Sequence, residues 1–152
     1  MSDGNWSDYV ADAGTDPDAL SEASTSMGDA IGAAEAALEA IDPAALPDAA
    51  AEDVSAAAAN LDEAASWQQW GDGDLANATS WQDDAAGHVQ AANEWAAWGN
   101  VDAAQEELSS AQTAAEIADE ASGNASTDLA IGADYMDTAS DNLSDAASDS
   151  DA

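Results

Sequence analysis

Any fold this chain adopts must be assembled without a Lys or Arg ion pair, because it contains neither residue against 33 Asp and Glu. With its single His neutral the formal charge is −33. Every carboxylate must therefore stay in water or meet an uncharged donor, since an isolated buried charge is too costly to keep. The same imbalance excludes whole classes of partner. Phosphate backbones and anionic lipid headgroups are bound through cations, and here they would be repelled. No direct contact with nucleic acid or a membrane surface is expected.

What remains for a core is thin. Eight Leu, four Ile and four Val are spread over 152 residues and Phe is absent, whereas Ala occurs 43 times. Low apolar content with high net charge is the composition of disordered chains. Alanine opposes that reading, because it is the best helix former and its small side chain lets helices approach closely. Val, Ile and Thr nowhere alternate with polar residues over a strand length, so no strand is expected. The expected fold is all-α, with four to five helices arranged as antiparallel hairpins. These form a bundle or an extended helical array, with oligomerisation as a route to completing the core.

The stretch 67–98 organises this expectation. Trp67-Gln68-Gln69-Trp70-Gly71-Asp72-Gly73-Asp74 and Trp95-Ala96-Ala97-Trp98-Gly99-Asn100-Val101-Asp102 share the form Trp-x-x-Trp-Gly-x-x-Asp, 28 residues apart. In each copy two indoles lie on one helical face, Gly can end the helix, and Asp or Asn can cap the next. Two helix-to-helix corners are expected, one at each Gly.

Residues 1–16 read as an N-terminal arm with an adhesive patch at Trp6, Tyr9 and Val10. Thr15-Asp16-Pro17 then opens a helix with a capping side chain and Pro at the first helical position. From Leu20 the spacing selects Ser24, Met27, Ile31, Ala34, Leu38 and Ile41, a heptad seam that calls for a partner helix. Pro43 and Pro47 break it. A second helix carries Val54, Ala57, Leu61 and Ala64 to the first tryptophan corner. A third follows Asp74 with Leu75, Ala78, Ala85, Val89 and Ala92 on its buried face. At Gly99 the apolar stripe changes phase, and Asn100 can cap a fourth helix through Val101, Ala104, Leu108, Ala111 and Ala115. Gly123-Asn124 is expected to end it before a fifth, on Leu129, Ala133, Met136, Ser140 and Leu143. The helical domain thus spans 17–146, and 147–152 reads as a frayed, acidic low-complexity tail.

Four tryptophans, Trp67, Trp70, Trp95 and Trp98, are the candidate partner-binding residues, because large aromatics anchor interfaces at modest entropic cost; the competing role is to bulk out an alanine core. Asp72-Gly73-Asp74 begins like a calcium loop, but Ala76 and Asn77 stand where a ligand and a Gly belong, so no EF-hand is expected. Loose cation binding at Asp72, Asp74, Asp83 and Asp84 is the remaining metal reading. His88 can be drawn as a dyad with Asp84 one turn away, yet no nucleophile motif, phosphate loop or cationic oxyanion stabiliser accompanies it. No enzyme, cofactor or bound metal is expected. Asn5, Asn77, Asn124 and Asn142 head Asn-x-Ser/Thr sequons, where a glycan could sit. No Cys is present, so no disulfide framework forms.

Acidity dominated by Asp, without Lys, resembles proteins of organisms that hold molar internal KCl, where the Debye length falls to about 3 Å and self-repulsion is screened. The expected function is that of a non-enzymatic structural or assembly protein of a salt-in halophile. It would be part of a virion or surface complex, held by helix packing and tryptophan contacts with protein partners or with itself. The alternative is an acidic DNA mimic that inhibits a DNA-binding protein, whose charge steering would weaken in salt. A flexible solubilising segment is the third reading, should the chain lack order. The start, Met1-Ser2-Asp3-Gly4-Asn5-Trp6, lacks the basic and apolar regions of an export signal, and no apolar run approaches spanning length. The chain is thus expected to be cytoplasmic as made, or incorporated into a virion or extracellular particle.

Overall fold

The computed structural model describes residues 5–151 and contains four α-helices and no strand among them. These are α1 (Trp6–Ala13), α2 (Pro17–Glu39), α3 (Asp48–Ala97) and α4 (Val101–Asp151), with a 3-10 turn at Pro43–Ala45 between α2 and α3. Residues 1–4 of the expected arm and Ala152 of the expected tail lie outside the described residues.

Three of the expected boundaries rest on capping chemistry. The Asp16 carboxylate accepts from Asp18 N at 3.0 Å, with Pro17 as the first helical residue of α2. Asp42 accepts from Ala44 N at 3.1 Å and opens the 3-10 turn, and Pro47 precedes α3. Between α3 and α4 the chain reverses at Gly99, whose φ of 80° is open to Gly at little cost. There Asn100 N donates to Trp95 O at 2.9 Å while the Asn100 side chain accepts from Ala103 N at 3.1 Å, closing one helix and opening the next.

The other expected breaks do not occur. Helix α3 runs unbroken through Trp70-Gly71, so the first tryptophan motif is not a corner. Gly71 is instead buried against α4: a Cβ there would lie 2.8 Å from Leu129 Cγ and 2.9 Å from Leu129 Cδ2. Its missing side chain serves close packing rather than helix termination. Helix α4 likewise passes through Gly123-Asn124, because Ala118, Ala121 and Ala125 hold one buried seam across that point. The five segments traced beyond the arm are therefore three, which with α1 makes four α-helices, within the expected four to five; α3 and α4 form one antiparallel hairpin of 50 and 51 residues. At 1.5 Å rise per residue each arm is about 75 Å long.

Residues 6–13 of the expected arm and 147–151 of the expected tail are helical. Residues 6–13 form α1, whose first N–H groups at Trp6 and Ser7 donate to the Asp137 carboxylate of α4 at 2.7 and 3.0 Å. A carboxylate at a helix N-terminus meets both unpaired donors and the positive end of the dipole. The tail continues α4 to Asp151, with Ser148 and Ser150 hydroxyls donating to carbonyls one turn back and Ala146 packed near Ala50 and Val54.

The hairpin has two different halves. In the lower half α2 lies along it, and Leu20, Met27 and Ile31 share one core with Leu61, Leu75, Leu129 and Met136, closed by Val10 of α1. In the upper half α3 and α4 pair alone. Every fully buried side chain described from Ala78 up α3 and back down α4 to Ala121 is alanine.

Replacing Gly71 by Ala forces a methyl into Leu129 and is expected to lower stability by about 1–3 kcal/mol. Gly73→Ala, with nothing within 4 Å of the added carbon, should raise it by about 0.5–1 kcal/mol. Denaturant unfolding in molar KCl reads both. Equal effects at the two glycines would refute the packing role of Gly71.

Candidate interaction surface

The tryptophan motif places its indoles in pairs three residues apart, and both pairs meet edge to face. The Trp67–Trp70 rings are 4.7 Å apart at 86°, and Trp95–Trp98 5.6 Å apart at 81°. Within each pair the first ring is half-buried and the second turns outward, Trp70 at 57% exposure and Trp98 at 79%. Trp67 packs its Cβ beside Gly132 on α4, where a Cβ would come within 3.3 Å of it. The structure does not bring the four together, since 28 residues of one straight helix separate the pairs by about 42 Å. Trp70 lies midway along the hairpin, and Trp98 at its tip.

Sequence spacing missed the rest of this surface. Val89, Val101 and Leu108, expected inside, are 43%, 61% and 50% exposed, and all three belong to the two-helix half. Their apolar stripe is wider than one facing helix covers, and that width was the available signal.

The acidic residues singled out above go separate ways. Asp72 receives the Ser24 hydroxyl of α2 and the Gln68 amide, the latter at 2.9 Å, forming a polar bridge into the buried face of α2. Asp74 stands opposite Asp128 of α4. Burial, the hydrogen bond to the Asp74 carboxyl and the Asp74 charge together raise the Asp128 pKa, so Asp128 keeps its proton more readily than an exposed carboxyl does. Asp83 and Asp84 lie more than two turns further up α3. Among the described residues no group of three or more acidic, His or Cys side chains is arranged to hold a metal ion.

His88 sits in a carboxylate clamp across the hairpin. Its Nδ1 is 2.6 Å from Glu107 on α4, and its Nε2 is 3.5 Å from Asp84. The Glu107 hydrogen bond raises the His88 pKa above its ordinary 6.5, desolvation opposes this, and attraction to Asp84 and Glu107 adds to it. The arrangement can hold a proton between helices. Of the sequon residues, Asn5 caps α1 through Asp8 N and Asn142 is bonded to Asn60, whereas Asn77 and Asn124 are exposed in mid-helix.

The chain matches no protein-family model, no curated protein and no solved structure. No helix among the described residues is long and apolar enough to cross a membrane.

Because its folded pKa is raised, His88 contributes stability fully below the unfolded value of about 6.5, and loses it as pH rises through the folded value. His88→Asn should therefore lower the melting temperature most in mildly acidic buffer, with the deficit shrinking by pH 9. Glu107→Gln should move the His88 midpoint, read by NMR titration, down towards 6.5. A deficit independent of pH would refute the clamp.

Proposed function

We propose that this chain is a non-enzymatic assembly protein, a component of a larger particle such as a virion part or surface complex of a salt-in halophile. It would be made in a cytoplasm of high K+ and held in the particle by helix packing and tryptophan contacts. The observation that carries this reading is where the large apolar side chains sit. Four of the five exposed ones, Val89, Trp98, Val101 and Leu108, are on the projecting two-helix half, whose own interior is alanine. A hairpin that turns much of its bulk outward, while the side chains it buries fully are alanine, leaves much of its apolar area to be buried by association. Trp98 fits the part of an anchor, since interface energy concentrates in a few aromatic residues.

The salt environment is proposed from charge. A chain of −33 without Lys or Arg gains from screening at every carboxylate, and its two-helix half has the least apolar burial to resist repulsion.

The test is recovery of the tagged chain from a halophilic host at native salt. Particle or envelope proteins should co-elute in fixed ratio, and Trp98→Ala should weaken their retention by about tenfold or more while leaving helicity unchanged. In parallel, circular dichroism should show helix content falling as KCl is lowered from molar to about 0.01 M, where the Debye length reaches about 30 Å. A monomer without a stable partner at molar KCl overturns the assembly reading. Partners that prove to be nucleases released by salt would replace it with DNA mimicry.

A further inference from the structure

Two rows of residues at seven-residue spacing run the length of the hairpin on one side. On α3 the row begins Leu61, Gln68, Leu75 and continues Gln82, Val89, Ala96; on α4 it begins Val101, Leu108, Ala115 and continues Ser122, Leu129, Met136, Leu143. In an antiparallel helix pair, rows of equal phase relative to the seam lie on the same flank of both helices. Below, this flank is the bed of α2. Leu61, Leu75, Leu129 and Met136 share a core with Leu20, Met27 and Ile31, and Gln68 donates to the Ser24 hydroxyl at 2.9 Å. Helix α2 runs antiparallel to α3 and begins at Pro17, two turns beyond Ser24, so its cover ends near Ala78. Above that level Gln82, Val89, Ala96, Val101, Leu108 and Ala115 are all exposed. The bed continues where the helix that lies in it has stopped.

The charge pattern identifies what covers it. None of those six residues is acidic, and of the exposed positions bordering them Thr79, Ala86, Asn93, Gln105 and Gln112 are uncharged, with Asp119 beside Ala115 the one carboxylate, at the lower edge of the face. The upper-half carboxylates of Asp83, Asp84, Glu94, Asp102 and Glu106 fall outside both rows and their borders. A cationic partner would call for carboxylates across the face, and this one offers only Asp119 at its lower edge. A second copy presents the same largely neutral face, so pairing two of them sets few carboxylates against one another while burying apolar area that one hairpin leaves in water.

We propose that the upper hairpin is a homodimerisation surface. Two copies pack these faces about a two-fold axis and close a four-helix bundle above the end of α2, an isologous contact of the commonest oligomer class. This deepens the assembly reading and rests on it, naming the first partner as the chain itself.

Sedimentation equilibrium of the purified chain in molar KCl over a concentration series tests the inference. The wild type should be a dimer. Val89→Glu with Leu108→Glu should raise the dissociation constant by about 100-fold or more, because carboxylates would be buried unpaired. Val89→Gln with Leu108→Gln keeps the net charge and should weaken the dimer less than the Glu pair but measurably. Both pairs substitute exposed residues, so helicity by circular dichroism should stay at the wild-type level. A wild type that is monomeric up to millimolar concentration overturns the proposal, as does a dimer indifferent to either double substitution. If the monomer still forms a fixed-ratio complex with another protein in the native host, only the homodimer is lost. With no such complex, the assembly reading falls too.

Discussion

The absence of Lys and Arg governs how this molecule can be built, because a carboxylate drawn into a contact between helices must find an uncharged donor, the single His or a shared proton. Those that make such contacts do so in different ways. Asp137 takes the free N–H groups at the start of α1 and the Ser7 hydroxyl, which ties the N-terminal helix to α4. Asp72 takes the Ser24 hydroxyl and the Gln68 amide and fixes the register of α2 against α3. Asp84 and Glu107 face the one His, and Asp74 and Asp128 face each other. Hydrogen bonds to a charged acceptor are among the stronger ones, so four contacts of this kind pin the helices at defined heights where an alanine seam alone would let them slide.

The same constraint separates the two halves of the hairpin. Carboxylates occupy the outer faces, leaving only narrow uncharged rows for packing, and the supply of Leu, Ile, Met and Val is spent largely in the lower half where α2 also contributes. There three long helices and α1 bury a mixed core. In the upper half the fully buried side chains between α3 and α4 are alanine, with Trp81, Trp95 and Ile117 only partly covered. Such an element has few large buried contacts to resist local opening, and that same poverty leaves its second apolar flank free to meet another surface. Sparse core burial and exposed apolar surface in the upper half are thus two consequences of one distribution of side chains.

His88 and Asp128 respond to pH with the same sign. Raised folded pKa values mean that the folded chain binds protons more tightly than the unfolded one, so both contributions fade as pH rises. Acidification also neutralises carboxylates generally, and for a chain so far from zero net charge this reinforces the trend.

The two tryptophan motifs show how far sequence reaches and where it stops. At Trp98-Gly99-Asn100 the turn is local. A Gly free to take positive φ, an Asn able to cap, and a change of apolar phase all lie within a few residues and determine a corner whatever surrounds it. The helix-only fold, the capped start at Asp16-Pro17 and the break at Pro43 and Pro47 are determined in the same way. At Trp70-Gly71 the same tetrapeptide signal has the opposite outcome, because Leu61, Gln68 and Leu75 keep their phase across it and Leu129, distant in sequence, needs the space a side chain would fill. Tertiary structure alone decided that Gly71 is a packing site, that Trp70 and Trp98 face water while Trp67 and Trp95 are half-covered, and that His88 reaches Glu107. It alone decided, too, that Val89 and Leu108 stand uncovered. The apolar rows were written evenly along both helices, but which part of them is buried depends on where α2 docks and ends, a balance of nonlocal contacts that no single stretch of the chain contains.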